Sequence, residues 1–130
     1  GTNTDDATRS SGNGDVFLHM TPDMILDYLG IFVDTTKIPD LTFTANIILP
    51  EGNYVLRVKN GVLLYQKDAQ DADADVTWTT KRAGLLSVVQ KNAENVAALI
   101  EQEGDETCLT RLMDAITVTS EYKYFNIIEP

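Results

Sequence analysis

The side chains able to do chemistry are few, and their spacing works against it. The chain of 130 residues has one cysteine, Cys108, and one histidine, His19. A cysteine nucleophile needs a nearby base, and His19 lies in a polar N-terminal stretch far along the chain. Cys108 falls at an apolar position of a predicted helix, where an inert, buried thiol is expected. One cysteine also excludes an intrachain disulfide and a thiolate metal cluster. A transition-metal site wants His, Cys and carboxylates together, so neither a metal nor another cofactor is expected. Ser87 has no nucleophile-elbow motif and no base, and there is no glycine-rich phosphate loop.

The acidic run Asp68-Ala69-Gln70-Asp71-Ala72-Asp73-Ala74-Asp75 raises the question of calcium. A calcium loop of the EF-hand type starting at Asp71 needs Gly at its sixth place and Glu at its twelfth. Those places hold Val76 and Arg82. The motif fails, leaving at most a weak surface site. The plain reading is a solvated loop that keeps two strands apart. Overall, 20 Asp and Glu stand against 10 Lys and Arg, a formal charge of −10. The basic residues are scattered, with Lys81-Arg82 the densest group. Binding to nucleic acid or to an anionic membrane surface is therefore not expected.

The elements that must carry these residues read as follows. Residues 1–19 are polar and acidic, without an apolar secretory core, and read as a flexible linker or tail. Gly1 in place of an initiator Met leaves open a preceding segment. Residues 20–130 read as one domain, with a hydrophobic fraction of 43% that is ordinary for a globular core. No run approaches the ~20 apolar residues of a membrane span. The sequence names no compartment, and a soluble, cytoplasmic setting is the working expectation.

Thr21-Pro22-Asp23 is a helix start, and the helix runs to about Asp34. Its apolar residues cover more than one side, which predicts deep burial or a flank lent to a ligand. Leu41 to Leu49 alternates with period two and reads as a strand. Pro50 to Asn53 is a turn, Tyr54 to Lys59 a second strand, and Asn60-Gly61 a type I′ hairpin signal. Val62 to Gln66 returns, and Asp75 to Thr79 makes a fourth strand. These four are expected to be antiparallel neighbours with one wet face. Thr80 caps a helix to about Lys91, Asn92 or Asn95 restarts it, and Glu103-Gly104-Asp105 breaks the chain. A last helix spans about Glu106 to Ile116. The aromatic and aliphatic tail, Tyr122 to Ile128, is expected to pack through Phe125, Ile127 and Ile128, or to add an edge strand.

This order is an α+β fold. A sheet with one wet face puts the helices on the other, and a slot between the layers is a common ligand site. The candidates to line an apolar cavity there are Met24, Phe32, Trp78, Leu85, Val89, Leu112, Met113 and Phe125, each of which is also a natural core residue.

One family shows the same ordered pieces. Thr21-Pro22 with Asp27-Tyr28-Leu29 opens the set. Tyr54-Val55-Leu56, Asn60-Gly61-Val62-Leu63 and Asp73-Ala74-Asp75-Val76-Thr77 follow, and Phe125-Asn126-Ile127-Ile128-Glu129-Pro130 closes it. From about Met20 to Pro130 the chain resembles the C-terminal domain of bacterial alkyl sulfatases, itself similar to sterol carrier protein. The resemblance implies a mostly antiparallel sheet of about five strands, helices over one face and an apolar cavity between. It implies a role in holding the alkyl chain of a sulfate ester beside a separate metallo-β-lactamase-like zinc domain. The fifth strand is not legible around Gln102 to Thr107.

The expectation is thus a non-catalytic module for an aliphatic or lipid-like ligand, with an anionic head group favoured only where Lys81, Arg82 or Arg111 lies at the mouth. The alternative is an interaction domain whose apolar face packs on a partner or on the catalytic domain.

Overall fold

The computed structural model describes residues 20–117. Helix α1 is Pro22–Phe32. The Thr21 hydroxyl accepts from the Met24 N–H at 3.2 Å, Pro22 opens the helix, and Asp23 sits in the first turn. Ile25, Leu26, Leu29 and Phe32 are buried on one side. The helix is shorter than the sequence predicts, because Asp34 caps a following 3₁₀ turn, Thr35–Lys37, through the Thr36 N–H. Its burial is also one-sided: Met24 and Ile31 face solvent.

Strands β1 (Phe43–Leu49), β2 (Gly52–Lys59), β3 (Val62–Lys67), β4 (Val76–Thr79) and β5 (Glu101–Gly104) form one sheet in the order β3-β2-β1-β4-β5. Alternation sorts the side chains. Phe43, Ala45, Ile47 and Leu49, with Tyr54, Leu56, Val58, Val76 and Trp78, are buried on the inner face. The β2–β3 turn is the expected hairpin, with Asn60 at φ 52° and Gly61 at φ 82°. Only glycine fits at 61, where a Cβ would stand 2.7 Å from the Ile38 carbonyl oxygen.

The sheet departs from the predicted meander at one pair. β4 runs parallel to β1, while the other three pairs are antiparallel. The acidic segment Asp68–Asp75 makes this possible. It leaves edge strand β3, crosses the outer face over β2 and β1, and delivers β4 on the far side of β1. Its anchors are specific. The Asn46 amide donates to the Asp71 carbonyl (2.9 Å) and accepts from the Asp71 N–H (2.8 Å). The Asp75 carboxylate accepts from the Thr44 N–H at 2.8 Å, and Arg57 pairs with Asp71 at 3.3 Å. Beneath this strap Val55, an outer-face residue, is 0% exposed. The run is therefore a fastened crossover, not a freely solvated spacer.

Helices α2 (Arg82–Val89), α3 (Ala93–Leu99) and α4 (Thr107–Asp114) complete the inner layer with α1. Thr80 does not cap α2. Its hydroxyl donates to the Leu99 carbonyl at 2.8 Å, tying the start of α2 to the end of α3. Gly84 lets Thr80 come this close, since a Cβ there would lie 2.0 Å from the Thr80 hydroxyl oxygen. Asn92 caps α3 by accepting from the Asn95 N–H. The predicted break at Glu103-Gly104 is instead the end of β5, and Asp105 accepts from the Thr107 N–H at the start of α4.

Candidate functional site

Two tyrosines set the position of α1. The Tyr54 hydroxyl donates to Asp23 at 2.5 Å and that of Tyr65 to Asp27 at 2.9 Å, so adjacent strands grip carboxylates one helical turn apart. Burial and the facing carboxylates raise both phenols, Tyr65 to about 12. With α1 held there, Ile25 points toward α2, and a groove opens between them.

The groove has a volume of about 710 Å³ and is open on one side. Ile25 of α1, Ala83 and Leu86 of α2, and Leu99 of α3 supply apolar wall. Pro50 and Glu51 of the β1–β2 turn close one end. The polar rim is Lys81, Arg82, Gln90 and Asn95. Arg82 is tethered: its Nε lies 2.8 Å from Glu51 and its Nη1 donates to the Met20 carbonyl at 3.1 Å. A site of this size, mostly apolar with polar groups at the edge, has the form of a small-molecule pocket.

Among the described residues, no catalytic machinery converges on it. Ser87 borders the groove, but its hydroxyl donates to the Ala83 carbonyl at 2.8 Å within the helix. Cys108 is 5% exposed in the core, and burial with the charges of Asp105 and Asp75 pushes its thiol up to about 11, so it is protonated at neutral pH. His19 lies outside the described residues. Among the described residues no three His, Cys, Asp or Glu side chains come together as a metal site.

The sequence-derived cavity candidates fall in several places. Phe32, Trp78, Leu85, Val89 and Leu112 are packed in the core cluster between sheet and helices. Met24 is 42% exposed on the outer side of α1. Met113 borders a second pocket of about 360 Å³ between α3, α4 and β5, with Val96, Leu109 and Gln102. Phe125, like Ile127 and Ile128, lies outside the described residues. Lys81 and Arg82 do reach the groove, whereas Arg111 is exposed on α4 and does not line it. Ile25, Leu86 and Leu99 were legible as apolar helix positions. Nothing in their spacing marked them as walls of an opening, because that depends on how three helices meet.

The alkyl sulfatase C-terminal family model matches residues 10–130. The chain belongs to the alkyl sulfatase C-terminal family. The inverting sec-alkylsulfatase Pisa1 from Pseudomonas sp. matches with a TM-score of 0.67 and 24% identity, over 78% of this chain and 17% of that one. A double mutant of the same enzyme gives 0.69 over 80% and 17%. Palmitated SCP2L2 from Aedes aegypti gives 0.52 and 21% identity, over 73% of this chain and 93% of that one. The search of curated proteins returned no match. The chain thus has a sterol carrier protein-like fold, mostly antiparallel with helices on one face, and spans about a sixth of the sulfatase chains it matches. Among the described residues no helix is long and apolar enough to cross a membrane.

Proposed function

We propose that this chain is a non-catalytic accessory domain, residues 20–130, that holds the alkyl chain of a sulfate ester for a separate metallo-β-lactamase-like catalytic domain. The observation that carries the reading is the groove between α1, α2 and α3. It offers Ile25, Ala83, Leu86 and Leu99 to an aliphatic chain and Lys81 at the rim to an anionic head. The buried candidates Trp78, Leu85 and Val89 form the packed interior behind it. The family membership and the sterol carrier protein-like fold support the same reading.

Each buried methylene contributes about 0.8 kcal/mol, close to a fourfold change in Kd per carbon. Titration of the chain with alkyl sulfates and alkanols of increasing length, below their micelle concentrations, tests this. Trp78 is the sole tryptophan and lies in the core, so its emission is a built-in reporter alongside calorimetry. The expected result is affinity that rises with chain length to a plateau, falls at least about tenfold in Leu99→Asp, and proceeds without sulfate release. A flat length dependence would replace the binding reading with that of a packing domain, and sulfate release above background would overturn both.

A further inference from the structure

Two polar atoms of the inner layer have no partner. The Trp78 indole nitrogen and the Gln102 side-chain oxygen are both buried, and neither has a hydrogen-bond partner among the described residues. The first can only donate and the second can only accept. Unpaired buried groups are destabilising and uncommon in folded proteins, so each one calls for a reason.

The two residues are neighbours. Trp78 of β4 and Gln102 of β5 stand opposite each other in antiparallel register. Their side chains therefore leave the same face of the sheet, with Cβ atoms about 4.5–5.5 Å apart. That is the inner face, where Trp78 is 1% exposed and its ring meets Phe43 at an angle, with centres 6.1 Å apart. The indole N–H and the amide oxygen nevertheless do not bond to each other.

Gln102 opens onto the second pocket, the space of about 360 Å³ between α3, α4 and β5. Val96, Leu109 and Met113 give this pocket apolar walls. Its charged residues, Lys91 and Asp114, offset each other, and the Lys91 ammonium is turned to the Ile116 carbonyl at 3.4 Å. An anionic head group gains little from such a rim. A hydroxyl suits the orphaned pair, because it accepts from an indole N–H and donates to an amide oxygen at once. An ether or a sulfate ester can only accept.

We propose that the second pocket binds a neutral hydroxyl compound with a short aliphatic body, whose hydroxyl bridges Trp78 Nε1 and Gln102 Oε1. The pocket and the groove have no described lining residue in common, so this site does not depend on the alkyl sulfate reading.

The test compares n-butanol with its isomer methyl propyl ether, which has the same atoms but no hydroxyl hydrogen. Trp78 is the sole tryptophan, so its indole N–H gives a resonance of its own in a nitrogen–proton correlation spectrum. The expected result is a saturable shift of that resonance by n-butanol. The ether leaves the Gln102 oxygen unpaired and should bind at least about tenfold more weakly. In Gln102→Leu the acceptor is gone, and the preference should shrink to about twofold or less. Ala97→Phe, at an exposed position of the pocket lining, should abolish the shift. Leu99→Asp, which spoils the groove wall, should leave it unchanged, since so short a chain fills little of the groove. Equal affinity for the two isomers in the parent would overturn the proposal. So would an indole resonance that n-butanol leaves in place, since water alone would then bridge the pair. A shift lost in Leu99→Asp and kept in Ala97→Phe would overturn it as well, by moving the ligand to the groove.

Discussion

Replacing Asn46 by valine removes both hydrogen bonds that fasten the acidic strap to the centre of the sheet. Asn46 sits on the outer face of β1, and its amide meets the Asp71 carbonyl at 2.9 Å and the Asp71 N–H at 2.8 Å. Valine suits a strand, so strand propensity is not lost. Each hydrogen bond contributes about 0.5–1.5 kcal/mol net, and two part-buried backbone groups are left without their partner. The expected loss is about 2 kcal/mol. For a domain of this size that lowers the melting temperature by about 8 °C. Val55 adds to the effect if the strap lifts, because it is 0% exposed on the face that the strap crosses. The assay is urea unfolding at neutral pH, followed by far-UV circular dichroism, with Asp73→Ala at an exposed position of the same segment as the control. The control should stay within about 0.5 kcal/mol of the parent. An Asn46→Val midpoint equal to the parent's would refute the strap and return the acidic run to a solvated loop.

Three further outcomes are expected. Tyr65 is raised to about 12 and Tyr54 is raised as well, above the ordinary phenol value near 10 in an unfolded chain, so their contribution is fully present below pH 10 and lost as pH rises from 10 toward 12. Urea midpoints across that range should fall in the parent and flatten in the Tyr54→Phe, Tyr65→Phe double variant, and an equally steep fall in both would exclude the tyrosine–aspartate grip. The Cys108 thiol, buried and raised to about 11, should react with a disulfide reagent at pH 8 far more slowly in the folded chain than in urea, and equal rates would contradict its placement. The buried side-chain oxygen of Gln102 has no hydrogen-bond partner among the described residues, so Gln102→Leu should stabilise the domain by about 1 kcal/mol in the same urea assay, a result that a lowered midpoint would negate.

How much of this was legible in the sequence follows from how local each signal is. Thr21-Pro22-Asp23 announces α1 because a cap, a first-turn proline and an acid act within one turn of helix. Asn60-Gly61 announces its hairpin because two positive φ values are required there. Period-two burial in β1 follows directly from the pleat. β5 was hidden because Glu101-Gln102-Glu103-Gly104 is a charged edge strand with no apolar alternation to betray it. The outward turn of Met24 and Ile31 was hidden for a different reason. An apolar helix surface states how much can be buried, while the Asp23–Tyr54 and Asp27–Tyr65 bonds decide which side is.

The sequence by itself determined the helices, four of the five strands, the apolar inner face of the sheet and the poverty of nucleophiles, bases and metal ligands, since each depends on residue identity or short-range spacing. Tertiary structure alone decided that β4 lies parallel to β1, because that rests on Asn46, Thr44 and Arg57 catching a segment some 14 to 31 residues away. It also decided where the groove opens. Ile25, Leu86 and Leu99 belong to three different helices, and the space between them exists only because Thr80 draws α3 against α2 while two tyrosines hold α1 at the sheet edge.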